Sequence, residues 1–157
     1  MKKLRYAILA LLFAMSAGCA GTSMRVMKQY EATAGERFNY EIVTKVEVPE
    51  KALEIVRARL DSELSNSNLL AVGNNGTRKI EIIFTNYYMR HGATRAAVGI
   101  MAGADKIATT VLIKDRSNSV ISEFTVDSKN PSAWGSSRGL IEGHVDKIVN
   151  YLKMGKS

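Results

Sequence analysis

A single cysteine in 157 residues excludes any disulfide within the chain and any metal site built on paired thiolates. The two histidines, His91 and His144, are far apart, and a metal centre around either would need carboxylates at spacings that are not there. No metal and no cofactor is therefore expected. The small-residue segment at 90–105 is not followed by the Gly-Lys-Ser/Thr of a phosphate loop, and no dinucleotide fingerprint sits between a strand and a helix. The chain is basic, with 22 lysines and arginines against 15 acids. It has no basic run with interleaved aromatics, though, so nucleic acid is not an expected partner. Three of the positive charges, Lys2, Lys3 and Arg5, fall in the first five residues, and the remaining excess suits anionic headgroups or acidic envelope polymers. Nowhere is there an apolar run of the roughly 20 residues a helix needs to cross a bilayer.

The opening residues have the layout of an export signal. Lys2, Lys3 and Arg5 precede an uncharged apolar run at 6–15, followed by Ser16, Ala17 and Gly18. Ser16-Ala17-Gly18-Cys19 resembles the lipobox of bacterial lipoproteins, in which the signal is cut before a lipidated cysteine. It departs from that pattern at Ser16, where leucine is usual. The alternative is an ordinary signal peptide that leaves a free thiol. The resemblance implies removal of residues 1–18, acylation of Cys19 with palmitate among its chains, and anchoring in a membrane. More than one chain, at about 0.8 kcal/mol per buried methylene, makes such an anchor stable. Ala20 stands where aspartate would retain a proteobacterial lipoprotein in the inner membrane, which favours the outer membrane facing the periplasm.

Residues 19–37 lack sustained periodicity and are expected to be a lipidated cysteine and tether, with an r.m.s. reach of about 22 Å if flexible. Val26, Met27 and Tyr30 could instead lie on the domain. A single domain is expected over 38–157, large enough for a core of its own. Phe38, Tyr40 and Ile42 alternate as in a half-buried strand. Pro49 suits the first position of a helix, and Leu53, Val56, Leu60 and Leu64 form its apolar stripe. Residues 69–72 read as a short strand leading through the Gly73–Gly76 turn into a hairpin with 79–89. A second hairpin joins 107–116 to 120–127 across Ser117-Asn118-Ser119. Pro131 stops that strand, and a last helix over 137–153 buries Ile141, Val145, Ile148 and Leu152. The expected fold class is α+β: a two-layer sandwich with a mixed, largely antiparallel sheet of four to five strands and two amphipathic helices on one face.

Between the strands, glycines at 92, 99 and 103 surround Arg95 in a stretch otherwise rich in alanine. Taken with a strand ending near Tyr88, a long strand ending at Asp115, a hairpin, and a helix closing on Tyr151-Leu152, this pattern resembles a family of bacterial lipoproteins known as domain of unknown function 4410. The resemblance covers residues 38–153. The family's hairpin usually has glycine at the turn, where this chain has Asn118-Ser119; asparagine tolerates the left-handed conformation. The resemblance implies an envelope lipoprotein domain with no established chemistry.

Arg95 can be read as an anion or partner contact on a glycine-rich loop, or as a structural tie to Asp105, Asp115 or a carbonyl. Gly92, Gly99 and Gly103 serve either backbone geometry or close packing against a second protomer. Trp134 either plugs the core or anchors a partner. Ser136 and Ser137 are explained by helix capping rather than as nucleophiles. His144 falls beside the buried stripe of the last helix. No catalytic residues are assigned. The expected function is a non-enzymatic, membrane-anchored binding or assembly module whose partner is an unidentified envelope protein or another copy of itself. The alternatives are a ring- or pore-forming secretion component and an envelope hydrolase.

Overall fold

The computed structural model of the chain describes residues 21–73, 76–90, 103–131 and 136–154. Five strands and two helices follow in the order β1 (Gly21–Lys28), β2 (Phe38–Thr44), α1 (Glu50–Asn66), β3 (Arg78–Tyr88), β4 (Asp105–Lys114), β5 (Val120–Asn130) and α2 (Ser137–Met154). They form one sheet in the order β1-β5-β4-β3-β2. β2 and β3 are parallel, and the other neighbours are antiparallel. The architecture is the expected α+β sandwich with a mixed sheet.

Alternation along the strands separates the faces. Ile80, Ile82 and Phe84 of β3, Ile107, Val111 and Ile113 of β4, and Phe124 and Val126 of β5 are buried in one cluster with the helix stripes. That cluster includes Leu53, Val56, Leu60 and Leu64 of α1 and Ile141, Val145, Ile148 and Leu152 of α2. Each such side chain contributes about 1.5–3 kcal/mol when removed from water. The other face carries ion pairs, Lys114 to Glu81 at 2.5 Å and Lys79 to Glu41. The helices are also held to each other by Arg59, whose guanidinium donates to both oxygens of Asp146 at 2.7 and 3.0 Å.

Three local expectations are corrected. The tether over 19–37 does not hold from Gly21 onward: residues 21–28 are β1, registered against β5 from Gly21↔Lys129 to Lys28↔Glu123. Thr22 and Met24 are half-buried, and Ser23 and Arg25 exposed, an alternation blurred by the edge position that leaves most of the strand in water. Residues 29–37 then fold back over the core, where Tyr30 is buried and its backbone N–H donates to the Tyr151 hydroxyl at 3.0 Å. Secondly, among the described residues no hairpin precedes β3. Leu70 makes only an isolated parallel bridge to Phe38, while β3 pairs in parallel with β2, which requires the α1 crossover rather than a tight turn. Lastly, Pro49 is the cap preceding α1, with φ −59° and ψ 140°, rather than its first helical residue. The β4–β5 hairpin stands as expected. Asn118 takes φ +64°, and the Asp115 carboxylate accepts from the N–H groups of Ser117 and Ser119, both at 2.9 Å.

Candidate functional site

One end of the sheet gathers the features with chemical content. The pairings place Gly21, Asn130, Asp105 and Tyr88 together there. The parallel partner β2 also ends on that side, and α1 and α2 both begin there.

The first feature is an ion pair with no solvent exposure on either side chain, Arg90 with Asp105. One Asp105 carboxylate oxygen accepts from the Arg90 backbone N–H at 2.9 Å and from its Nε at 3.1 Å. A terminal guanidinium nitrogen of Arg90 donates to the carbonyl of Asn130 at 2.9 Å. The end of β3, the start of β4 and the end of β5 are thus clamped across three adjacent strands. A charge-assisted bond at zero exposure is costly to break, because the surviving charge stays out of water.

The second is a polar chain beneath α2. His144 is 2% exposed, with Nε2 at 2.9 Å from Thr109 Oγ1 and Nδ1 at 2.8 Å from Ser128 Oγ. Ser128 Oγ lies a further 2.8 Å from Thr22 Oγ1. β1, β5, β4 and α2 are joined through one imidazole. Burial, with no charged neighbour contributing, lowers the His144 pKa to about 4, so the ring is neutral near pH 7. A neutral ring beside a serine hydroxyl has the composition of a nucleophile and base, but Ser128 is fully buried and the chain of bonds ends on Thr109, not on a carboxylate.

The third is a cleft of about 1040 Å³ between the start of both helices and the end of β3. Ala52 and Ile141 are buried in its wall and Val46, Ile55, Tyr87 and Met89 half-buried, while Lys51, Tyr88 and Arg138 are exposed around it. Burial and, secondly, the charge of Asp105 raise the Tyr87 phenol above its ordinary pKa, so it stays protonated.

Of the residues singled out in the sequence, Gly103 is described. It has φ +82°, and a Cβ there would meet nothing within 4 Å, so its backbone conformation accounts for the glycine. Cys19, Gly92, Arg95, Gly99 and Trp134 lie outside the described residues. Asp105, one of the partners suggested for Arg95 beside Asp115 and a carbonyl, pairs with Arg90, a residue the sequence analysis passed over. The available signal was a guanidinium and a carboxylate standing at the two ends of one connection. Thr109 and Ser128 were also missed; each is a polar residue at an inward position of an otherwise apolar strand face.

Gly135-Ser136-Ser137-Arg138-Gly139 has the glycine and serine spacing of a hydrolase nucleophile elbow, a match overlooked in the sequence. The capping explanation accounts for its first serine: Ser136 Oγ accepts from the Gly139 N–H at 3.0 Å at the start of α2. Both ring nitrogens of His144 are engaged by other hydroxyls. Among the described residues, no group of three or more His, Cys, Asp or Glu side chains could hold a metal ion, and no helix is long and apolar enough to cross a membrane.

Residues 31–133 match the family model described as Domain of unknown function (DUF4410). Among curated protein sequences none matches the chain. Solved structures with TM-scores above 0.5 share the fold. A PelC dodecamer from Paraburkholderia phytofirmans is 12% identical with TM-score 0.61, and a single-substitution variant of it is 13% identical with TM-score 0.60. Each comparison covers 85% of this chain and 98% of that one. A DUF330 protein from Xanthomonas campestris is 9% identical with TM-score 0.52, covering 80% of this chain and 91% of its own. A minor lipoprotein from Acinetobacter baumannii is 10% identical with TM-score 0.48, covering 79% and 97%.

Proposed function

Because the chain belongs to the family Domain of unknown function (DUF4410), we propose that it is an envelope lipoprotein, held by acyl chains on Cys19, that works without catalysis by assembling with copies of itself. The observation that carries this reading is β1. It is an outer strand of eight residues that begins two positions after Cys19, and among the described residues no strand pairs with its outer edge. Val26 and Met27 stand 43% and 47% exposed on it. An uncovered edge with apolar side chains is a template for pairing with another chain. An anchor this close holds every copy at the same height above one leaflet, which raises effective concentration.

The dodecamers formed by the PelC neighbours support self-association and favour a ring over a dimer. The β1 edge of one copy against a different surface of the next is a head-to-tail contact, the kind that closes into rings. Ala20 after the cysteine supports the outer membrane, with the domain in the periplasm. The engagement of both His144 nitrogens deep in the core supports a non-enzymatic role over a hydrolase. Arg95, with Gly92, Gly99 and Trp134, is the proposed contact to a neighbouring copy or a second envelope protein, and Arg95→Ala should weaken that contact without unfolding the domain.

Mass photometry of the full-length protein in detergent tests the reading. Assemblies of many copies are expected, and Val26→Lys with Met27→Lys should shift them toward monomer while far-UV circular dichroism stays unchanged. Monomer alone from the wild type would refute self-assembly.

A further inference from the structure

The position of β1 has a consequence for what the cleft meets. Two peptide units join Cys19 to Gly21, so the Cα atoms are at most about 7.6 Å apart. Residue 21 therefore cannot stand far from an acylated residue 19. Gly21 lies at the same end of the sheet as the close of β3. Three strand spacings, about 14 Å, separate β1 from β3 across the sheet. The cleft beside the end of β3 is thus displaced sideways from the anchor, at a similar height over the leaflet.

Its chemistry matches what it would find there. The buried and half-buried wall is apolar, formed by Val46, Ala52, Ile55, Tyr87, Met89 and Ile141. Lys51 and Arg138 stand exposed beside it, and Lys45, Lys106 and Lys129 are exposed on the same end. Among the described residues, none of these four lysines has a carboxylate within ion-pair distance; Arg138 has one, Glu142 at 2.8 Å. Glu47 is the one carboxylate among the described lining residues. The exposed phenol of Tyr88 suits a headgroup interface, where aromatic rings with a polar tip collect. A volume of about 1040 Å³ is at the upper end of small-molecule clefts, roughly 300–1000 Å³, and has room for a headgroup with the upper part of an acyl chain.

We propose that this cleft seats an anionic phospholipid from the leaflet that holds Cys19, its acyl chain along the apolar wall and its phosphate toward Lys51 and Arg138. The inference rests on the anchored reading of Cys19. A lipid bound there orients the domain, fixing which end of the sheet faces the membrane where the acylated cysteine alone would leave the domain free to swivel.

The test is native mass spectrometry of the full-length protein, expressed with its own signal, extracted in mild detergent and titrated with phosphatidylglycerol or phosphatidylcholine. One phosphatidylglycerol per chain is expected, at about tenfold or greater preference over phosphatidylcholine, since each lysine or arginine near an anionic surface contributes about 1 kcal/mol and two of them face the phosphate. Lys51→Glu with Arg138→Glu should lower occupancy at least about tenfold and leave the thermal midpoint within a few degrees of wild type. Ile55→Glu should abolish binding through the wall. Equal occupancy by both lipids, or full retention in the charge-reversed protein, overturns the proposal. The same spectra report the covalent mass at Cys19, which separates the two readings. Acylated Cys19 with an empty cleft overturns the lipid site and leaves the anchor standing; unmodified Cys19 with selective phosphatidylglycerol binding supports the site and overturns the anchor.

Discussion

Protonating His144 should destabilise this protein from within. The imidazole is wedged between Thr109 Oγ1 and Ser128 Oγ at 2.9 and 2.8 Å, and burial lowers its pKa from 6.5 to about 4. In the unfolded chain it returns to the ordinary value, so between pH 6.5 and pH 4 the unfolded state binds the extra proton and stability falls as pH falls. Above 6.5 the group contributes no pH dependence; below about 4 both states are protonated and the loss is complete. At about 1.36 kcal/mol per pKa unit the loss reaches roughly 3 kcal/mol, a large share of the 5–15 kcal/mol typical of a domain. His144→Gln keeps one donor and one acceptor in the cavity and does not titrate. Urea unfolding of both proteins at pH 7, 5.5 and 4 isolates the term, because carboxylate titrations common to both cancel in the difference. Wild type should lose about 3 kcal/mol more than His144→Gln between pH 7 and pH 4. Parallel profiles would refute the burial of a neutral imidazole.

Asp105→Ala should cost about 3–5 kcal/mol in urea unfolding, because it leaves the buried Arg90 charge without this carboxylate; adding Arg90→Met should recover part of that loss. Recovery of nothing would show that the two side chains are not an isolated pair in energetic terms. Gly103 and Gly76 should respond to substitution for different reasons. Gly103→Ala is opposed by φ +82° alone, and Gly103→Asn should restore much of a loss of about 1 kcal/mol. Gly76→Ala drives a methyl to 2.8–3.0 Å from the side chain and backbone N of Asn39, and Gly76→Asn should be no better. Thermal melts of the four variants separate strain of backbone from strain of contact.

Much of the scaffold was legible because its signals are local. The stripes of α1 and α2 recur at three and four residues, and β4 and β5 alternate on either side of a short polar turn. β1 escaped because an edge strand buries little on either face, so Thr22 and Met24 are its only half-buried residues and its periodicity is weak. The parallel pairing of β2 with β3 has no turn between the strands to announce it. The nearby Leu69, fully buried, made residues 69–72 resemble a strand of the sheet. At the candidate site, the sequence signal lay in Arg95 and the glycines between the strands, whereas the observed clamp, Arg90 with Asp105, is built from the end of β3 and the start of β4. The cleft could not be read from the sequence at all, since its walls come from three separated stretches of chain, 46–55, 85–90 and 137–141, brought together by the crossover and by α2.

The central claim, a lipid-held domain that assembles with its own copies, is tested most directly by crosslinking the full-length protein in its native envelope, followed by affinity purification, with Cys19→Ala alongside. The account predicts a ladder of self-crosslinked species ending at one closed size in the wild type, and its collapse to monomer when the cysteine is replaced. A wild type that crosslinks only to unrelated proteins, or a Cys19→Ala protein whose ladder is unchanged, would contradict it.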